Sequence, residues 1–336
     1  MLRLGTALAL IAPTLTAAPA LAEEVNLYSY RQPELLKPLT DAFTEATGID
    51  VNVAYIDKGL EERLVAEGDR SPADLIFTVD ISRLAAAVQA GVTQPVESEV
   101  LQENVPEQYR DPEGQWFGLT TRARIVYASK DRVDPSEITT YEDLADPKWE
   151  GRICTRSGTH DYNVALVAAM IHHHGEEYAK EWLTGLKSNL ARRPQGNDRA
   201  QVKAIWAGEC DISLGNTYYM GQMLSDPEQV DWANSVNVLF PEFENGGTHV
   251  NISGVAMTKS APNRENALKM MEYLTSPEAQ EIYAHANYEY PIAPGTEADD
   301  LVTGWGSFTA DDTNLMTLAE QRGAALRLIE EVDYDG

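Results

Sequence analysis

The apolar positions after residue 22 change period regularly, from the alternation of a strand to the spacing of a helix and back. Residues 25–30 (VNLYSY) alternate and are rich in β-formers, whereas 33–46 repeat apolar residues at helical spacing until Gly48. The continuously apolar run 73–79 (ADLIFTV) is typical of a strand covered on both faces. Together the patterns predict strands over 25–30, 49–55 and 73–79 and helices over 33–46, 59–68 and 81–90. Such alternation indicates an α/β fold with a doubly wound, parallel sheet.

The same rhythm restarts near residue 150, after a stretch without helix signals. Residues 116–130 (WFGLTTRARIVYASK) contain two β-rich halves, and 249–258 (HVNISGVAMT) are β-like again, so both can carry the chain between two lobes. Between them the pattern predicts strands near 153 and over 210–214, and helices over 163–174, 176–186 and 198–207. No low-complexity linker separates the halves. The sequence therefore predicts two lobes hinged by crossing strands.

Each lobe is predicted to contain a mixed, mostly parallel, doubly wound sheet with flanking helices. The boundaries that we predict place 23–122 plus about 247–297 in the N-terminal lobe and about 123–246 plus 298–336 in the C-terminal lobe. Ligands of open α/β sheets bind at the carboxyl ends of the strands. In a two-lobed molecule this edge faces the cleft between the lobes, which a hinge closes.

The first 22 residues have the pattern of a secretory signal peptide. A positive Arg3 precedes an apolar stretch that Pro13 interrupts, and Ala20-Leu21-Ala22 is a cleavage signal of the A-x-A type. The alternative is a buried N-terminal helix, which the cleavage signal disfavours. No later stretch approaches the roughly 18 consecutive apolar residues of a membrane span. We therefore expect an exported, soluble mature protein without stable membrane insertion.

The charge composition excludes some partners without identifying one. The chain of 336 residues has 26 Lys plus Arg against 53 Asp plus Glu, a formal charge of −27. A nucleic-acid backbone is held by clustered basic residues, and so is an anionic membrane surface. The acidic balance argues against both partners. A hydrophobic content of 43% is that of a folded chain rather than a disordered one.

Two cysteines, Cys154 and Cys210, each lie beside a short apolar run, in Arg152-Ile153-Cys154 and Cys210-Asp211-Ile212. Neighbouring strands would bring them together, and an exported protein with an even cysteine count favours a disulfide. Two buried free thiols are the alternative.

Tyrosines are the residues that point to chemistry. The chain has 15 Tyr and only 6 Phe, and Tyr218-Tyr219 directly follow the predicted strand CDISLGN, where a cleft site belongs. Adjacent side chains of a strand face opposite ways, so the backbone must bend at Gly215-Asn216 for both rings to serve one site. Tyr162 lies in a second loop that precedes a helix. Three phenolates would suit a hard trivalent cation such as Fe(III), whereas the alternative is a tyrosine-lined cleft for a sugar or peptide.

A family resemblance covers nearly the whole mature chain. Its specific motifs are SG-x-x-x-YN, within 157–163, and GN-x-YY, within 215–219, and shared stretches include VNLYSYRQP at 25–33 and WFGLTTRARIVYASK at 116–130. The chain resembles the ferric-iron-binding periplasmic proteins of ABC importers. The resemblance implies the class II, two-lobed periplasmic-binding-protein fold, Fe(III) as the transported ligand, and a monomer that delivers it to an inner-membrane ABC permease. Its residue assignments are Tyr162, Tyr218 and Tyr219 for the metal and Arg122 and Arg124 for a synergistic anion such as carbonate.

One of the two arginines can instead form a structural salt bridge, and Arg122 is the favoured anion residue. The sequence departs from several relatives just after the first strand, where they place a histidine and this chain has Gln32-Pro33. The metal ligand of the first lobe is thus expected to be absent, and Arg31 and Gln32 are assigned to the anion. The sequence contains no nucleophile–base motif and no phosphate loop, so we expect that the protein is not an enzyme. The alternatives are a binding protein for a polyamine or organophosphonate and, less favoured, an exported hydrolase.

Overall fold

The structure is a computed structural model that describes residues 23–336, so the predicted signal peptide lies outside the described residues. The strands of this part of the chain form one mixed sheet. Their bounds are β1 (Glu24–Ser29), β2 (Asp50–Tyr55), β3 (Leu75–Thr78), β4 (Phe117–Ser129), β5 (Ile153–Cys154), β6 (Ile212–Asn216), β7 (Val236–Leu239), β8 (Val250–Met257) and β9 (Tyr290–Pro291).

Helices follow most of the strands and cover the sheet. In the first part of the chain they are α1 (Pro33–Thr47), α2 (Leu60–Glu67), α3 (Ile81–Gln89) and α4 (Glu99–Asn104). The second part contains α5 (Asp161–His174), α6 (Glu176–Ser188), α7 (Asp198–Trp206), α8 (Tyr218–Leu224) and α9 (Val230–Asn234). The last part contains α10 (Arg264–Leu274), α11 (Pro277–Asn287), α12 (Asp300–Thr303), α13 (Leu315–Glu320) and α14 (Arg322–Glu331). Among residues 23–336, no helix has the length and apolarity to cross a membrane.

The order of the strands is β2-β1-β3-β8-β4-β6-β5, and β7 and β9 also pair with β4. The two ends of the sheet are parallel, as predicted, because β1 runs with β2 and β3, and β5 runs with β6. The centre is antiparallel, since β8 runs against β3 and β4, and β4 runs against β6. The mixed two-lobed α/β fold is confirmed, but the prediction of a mostly parallel sheet is wrong, because five of the eight pairings between the described strands are antiparallel and four of these involve β4.

Strand β4 connects the two halves of the sheet. The sequence predicted two β-rich halves over 116–130, and the structure joins them into one strand of 13 residues that is buried along its whole length. Residues up to Ala123 pair with β8, whereas residues from Arg124 onward pair with β6 and β7. The change of partner between Ala123 and Arg124 places the side chains of this strand where the two halves meet.

A disulfide bond joins Cys154 to Cys210, which confirms the predicted pairing. Cys154 ends β5, and Cys210 lies just before β6, the parallel neighbour of β5. The bond closes a loop with a sequence separation of 56. In the chain-entropy model a loop of this length destabilises the unfolded state by about 4 kcal/mol. The disulfide therefore stabilises the part of the chain that contains Tyr162 and that leads through β6 to Tyr218 and Tyr219.

Candidate functional site

A cleft of about 460 Å³ lies between the two halves of the molecule. Its walls contain all the predicted metal and anion residues except Arg124, namely Tyr162, Tyr218, Tyr219, Arg122, Arg31 and Gln32. Additional lining residues that the sequence did not single out include Tyr55, Asp57, Arg83 and Arg199. Strand ends and helix starts thus converge on one site from distant parts of the chain, as a ligand site of an α/β sheet requires.

Helix α8 explains how two adjacent tyrosines serve the same cleft. The sequence predicted a bend after the strand, and the structure supplies one by ending β6 at Asn216 and beginning α8 at Tyr218. Neighbouring residues of a helix are separated by about 100° rather than the 180° of a strand. The rings of Tyr218 and Tyr219 consequently pack against each other, with their centroids 4.1 Å apart.

Tyr162 reaches the same place from the first turn of α5. The Nδ1 atom of His160 accepts a hydrogen bond of 3.2 Å from the backbone N–H of Tyr162 and so caps the helix. The hydroxyl oxygens of Tyr162 and Tyr218 lie 3.1 Å apart. Phenol groups from two helices therefore meet, and one cation between them would contact oxygen atoms of both.

The protein environment keeps two of these phenols protonated. Burial raises the pKa of Tyr218 well above its ordinary value, and the neighbouring Tyr162 and Tyr219 raise it further. Burial and Tyr162 raise the pKa of Tyr219 to about 12. Both phenols are therefore neutral at pH 7 in the protein alone. A bound multivalent cation reverses this preference because its charge displaces the phenol protons.

Arg122 is a buried cation without a hydrogen-bond partner among residues 23–336. Its side chain is 1% exposed, and its Nε, Nη1 and Nη2 atoms find no acceptor among the described residues. The guanidinium carbon lies 5.9 Å from the centre of the Tyr162 ring. An isolated buried charge is energetically costly, whereas a planar oxyanion can satisfy a guanidinium through two parallel hydrogen bonds. The cleft thus offers one unused anion-binding group beside the tyrosines.

Arg124, two residues further along β4, has a different environment. Its Nη1 atom donates to Asp198 at 2.8 Å and to Asn216 at 3.1 Å, and its Nη2 atom donates to Asn163 at 2.6 Å. Arg124 is 2% exposed and is absent from the residues that line the cleft. Its geometry is that of the structural salt bridge that was the alternative for one of the two arginines, and an anion role for Arg124 stays a prediction.

Arg31 and Gln32 both line the cleft, but they differ in burial and in the hydrogen bonds that their side chains form. Arg31 is 7% exposed and donates to Asn287 at 2.7 Å and to Glu289 at 2.6 Å. Gln32 is exposed and precedes the first residue of α1, Pro33, without a capping hydrogen bond from its side chain. The side-chain amide of Gln32 is therefore available to a ligand, whereas most of the Arg31 guanidinium already has protein acceptors.

A hydrogen-bonded group around Asp198, which was not predicted from the sequence, positions the tyrosines. This fully buried carboxylate accepts hydrogen bonds from Arg124, from Arg156 at 3.0 Å and from the backbone N–H of Asn216 at 3.1 Å. Asn163 follows Tyr162 directly, and Asn216 lies two residues before Tyr218. The asparagines of the two motifs, Asn163 and Asn216, are the sequence signal from which this group could have been found. Asp198 itself resembles an ordinary acidic residue in the first turn of a helix.

Comparison with known proteins assigns a family. Residues 70–304 match the family model described as bacterial extracellular solute-binding protein. The chain belongs to this family. Because the members of the family bind solutes, the expectation that this solute-binding protein is not an enzyme is confirmed.

Three relatives with informative names cover almost the whole chain. Iron uptake protein A1 of Synechocystis sp. is 46% identical over 320 residues, which are 94% of this chain and 89% of that protein. The structure of Mannheimia haemolytica ferric iron-binding protein A in an open conformation is 51% identical, with a TM-score of 0.90 and coverage of 94% and 100%. The Trichodesmium protein IdiA (FutA), in complex with iron and citrate ligands, is 43% identical, with a TM-score of 0.89 and coverage of 93% and 99%. This solute-binding protein therefore shares its fold and much of its sequence with iron-binding relatives.

Proposed function

We propose that the protein captures Fe(III) in the cleft through the phenolates of Tyr162, Tyr218 and Tyr219. The observation that carries the proposal is the meeting of three phenols from two helices, with the hydroxyls of Tyr162 and Tyr218 3.1 Å apart, beside the unpartnered Arg122. Relatives named for iron uptake and ferric iron binding support it.

The chemistry of the donors fits a hard trivalent cation. Oxygen donors favour hard cations, and three phenolates cancel the charge of Fe(III), so the resulting cluster is neutral in a largely buried cleft. Arg122 holds a synergistic anion, carbonate or a similar planar oxyanion, that completes the coordination sphere. Gln32 and the free part of Arg31 contribute to the same anion.

The cellular setting belongs to the same proposal. A signal peptide over 1–22 directs the chain to the periplasm, where the family of extracellular solute-binding proteins acts. The lobes comprise 23–122 plus about 247–297 and about 123–246 plus 298–336, with β4 and β8 as the hinge. Closure around iron presents both lobes of the monomer to an ABC permease in the inner membrane, which receives the metal.

Replacement of the tyrosines tests the proposal. Iron-loaded wild-type protein is expected to show a phenolate-to-iron charge-transfer band, and Tyr218→Phe and Tyr219→Phe are each expected to weaken the band and the iron affinity. Tyr55→Phe is the matched control, because Tyr55 lines the same cleft and is 44% exposed but lies outside the cluster. The proposal is wrong if the two cluster variants retain the colour and affinity of Tyr55→Phe.

A binding protein for an organic solute remains the second candidate, and the size of the cleft favours it. A cavity of about 460 Å³ is within the range of small-molecule sites and exceeds the space that one ion and carbonate fill. A thermal-shift panel of polyamines and organophosphonates without iron separates the two candidates, because a tight ligand raises the melting temperature by mass action. A large shift with one of these solutes, and none with iron, would favour this alternative.

A further inference from the structure

A buried carboxylate lies behind the side of the cleft that contains Arg31 and Arg122. Glu289, between α11 and β9, is fully buried. Its Oε1 atom accepts from Nη2 of Arg31 at 2.6 Å, and its Oε2 atom accepts from the hydroxyls of Thr120 at 2.5 Å and Ser253 at 2.9 Å. The loop after β1 and the two crossing strands β4 and β8 thus all bind this one carboxylate.

The same arrangement places Glu289 close to the anion residue Arg122. Thr120 and Arg122 are alternate residues of β4 and pair in regular register with Ser253 and Asn251 of β8. Alternate residues of a strand face the same side of the sheet. Arg122 therefore lies on the same face of β4 as Thr120, which contacts Glu289 there. Among the described residues, Arg122 forms no hydrogen bond to the Glu289 carboxylate.

Glu289 carries a negative charge in this environment. Burial by itself would raise the pKa of the Glu289 carboxyl, but the charges of Arg31 and Arg122 and the hydroxyls of Thr120 and Ser253 hold it below its ordinary value. The two arginines and the single carboxylate together leave one net positive charge on this side of the cleft. The remaining charged groups of the cleft wall, Arg83, Arg199, Glu34 and Asp57, are partly or fully exposed.

We propose that Glu289 is a specificity-determining residue that limits how much negative charge the bound anion can carry. The inference rests on the proposed function, because it concerns the anion that accompanies iron at Arg122. A wall with one net positive charge stabilises each added negative charge of the anion less than a wall with two positive charges would, so it favours oxyanions of low charge, carbonate included, over a triply charged one. Without Glu289 the same wall would hold two positive charges and would favour multiply charged oxyanions.

A series of carboxylates with increasing charge tests the proposal on the full mature chain. Acetate, malonate and citrate present the same functional group with one, two and three charges. The affinity of the iron-free protein for each is measured by calorimetry, and a loss of binding in Arg122→Gln identifies the site. In Glu289→Gln the preference for citrate over acetate is expected to increase by about tenfold or more, because charges interact strongly where water is excluded. In Arg31→Gln the preference is expected to decrease.

The charge-balanced double variant keeps the proposal testable if a single variant fails to fold. Arg31→Gln combined with Glu289→Gln removes one charge of each sign, so its preference for citrate over acetate is expected to be lower than in Glu289→Gln and higher than in Arg31→Gln. Glu142→Gln is the matched control, because Glu142 is a buried carboxylate that pairs with His174 at 2.5 Å and does not line the cleft. An equal change in Glu142→Gln, an unchanged preference in folded Glu289→Gln, or a preference for citrate in the double variant as large as in Glu289→Gln overturns the proposal.

Iron loading separates this inference from the proposed function. If Glu289→Gln retains the phenolate-to-iron band but its order of anion preference is unchanged, the role of Glu289 is wrong and iron binding stands. If the wild type develops no band with any of the three anions, iron binding is wrong, and the preferences of the iron-free protein still decide the role of Glu289.

Discussion

At the scale of single residues, Arg122 and Arg124 show that the surroundings of a buried arginine determine whether it forms an ion pair within the protein. Both are buried arginines of β4, separated by one residue, and both belong to the motif TTRAR. Arg124 forms an ion pair with Asp198, whereas the three guanidinium nitrogens of Arg122 have no acceptor among residues 23–336. The difference arises from the partners that the fold brings to each site, and it separates a structural residue from a candidate ligand residue.

The same substitution is expected to affect stability in opposite directions at these two positions. Arg122→Met removes a buried charge that has no hydrogen-bond acceptor among residues 23–336 and that Glu289 offsets only through space, and it is expected to stabilise the iron-free protein by about 1–3 kcal/mol. Arg124→Met leaves the Asp198 carboxylate short of a partner and is expected to destabilise the protein by about 3–5 kcal/mol. Thermal unfolding of the iron-free variants measures both effects. A lower melting temperature for Arg122→Met would show that the guanidinium already has a compensating partner.

At the scale of elements, two helix starts position the three tyrosines. Helix α5 begins one residue before Tyr162, and α8 begins at Tyr218, so the rings project from the first turns toward the cleft. The sequence predicted the body of α5 from its apolar periodicity. It did not predict α8, because the 7 residues of this helix are too few for a helical period to appear.

The packing of α8 depends on Gly221, one turn after Tyr218. A β-carbon at Gly221 would lie 2.2 Å from Cγ of Tyr288, so Gly221→Ala is expected to displace α8, lower the stability by about 1–3 kcal/mol and weaken iron binding. A β-carbon added at Gly323, in α14, would lie 4.0 Å from its nearest neighbour, Nη1 of Arg327, so Gly323→Ala is expected to stabilise the protein by about 0.5–1 kcal/mol through helix propensity. Thermal unfolding and iron titration of both variants test the contrast. Equal effects at the two glycines would contradict the steric argument.

At the scale of the whole molecule, His249 lies where the two halves of the sheet join. It precedes β8 and is 3% exposed, its carbonyl accepts from the N–H of Arg124 at 2.9 Å, and its own N–H donates to the hydroxyl of Tyr141 at 3.0 Å. Burial lowers the pKa of its imidazole from 6.5 to about 4, and the positive charges of Arg124 and Arg122 contribute in the same direction, against the carboxylate of Asp311. The junction is thus built around a neutral histidine.

Acid is expected to weaken this junction. Folded His249 stays neutral down to pH about 4, whereas the unfolded chain binds the proton below about 6.5, so stability is lost as the pH falls through that window. The decrease in melting temperature between pH 7 and 4.5 is expected to be smaller in His249→Gln than in the wild type by roughly 5 °C. His172→Gln, at an exposed histidine outside the junction, is the control and should retain the wild-type decrease. An unchanged decrease in His249→Gln would contradict the argument.

The sequence alone determined the features that depend on nearby residues. Periodicity identified the main strands and helices, the motifs around Tyr162 and Tyr218 located the cleft residues, and the export pattern favoured the disulfide. These signals are local because strand and helix periods repeat within a few residues.

Only the tertiary structure decided which charged groups meet. Arg31 and Glu289 are separated by 258 residues in the chain and Arg124 and Asp198 by 74, yet each pair forms a hydrogen-bonded ion pair in the core. The energy of a buried charge depends on its surroundings in three dimensions rather than on its neighbours along the chain. For that reason the sequence could propose both arginines of TTRAR, whereas the structure shows that, of these two, Arg122 lacks a hydrogen-bond acceptor among residues 23–336.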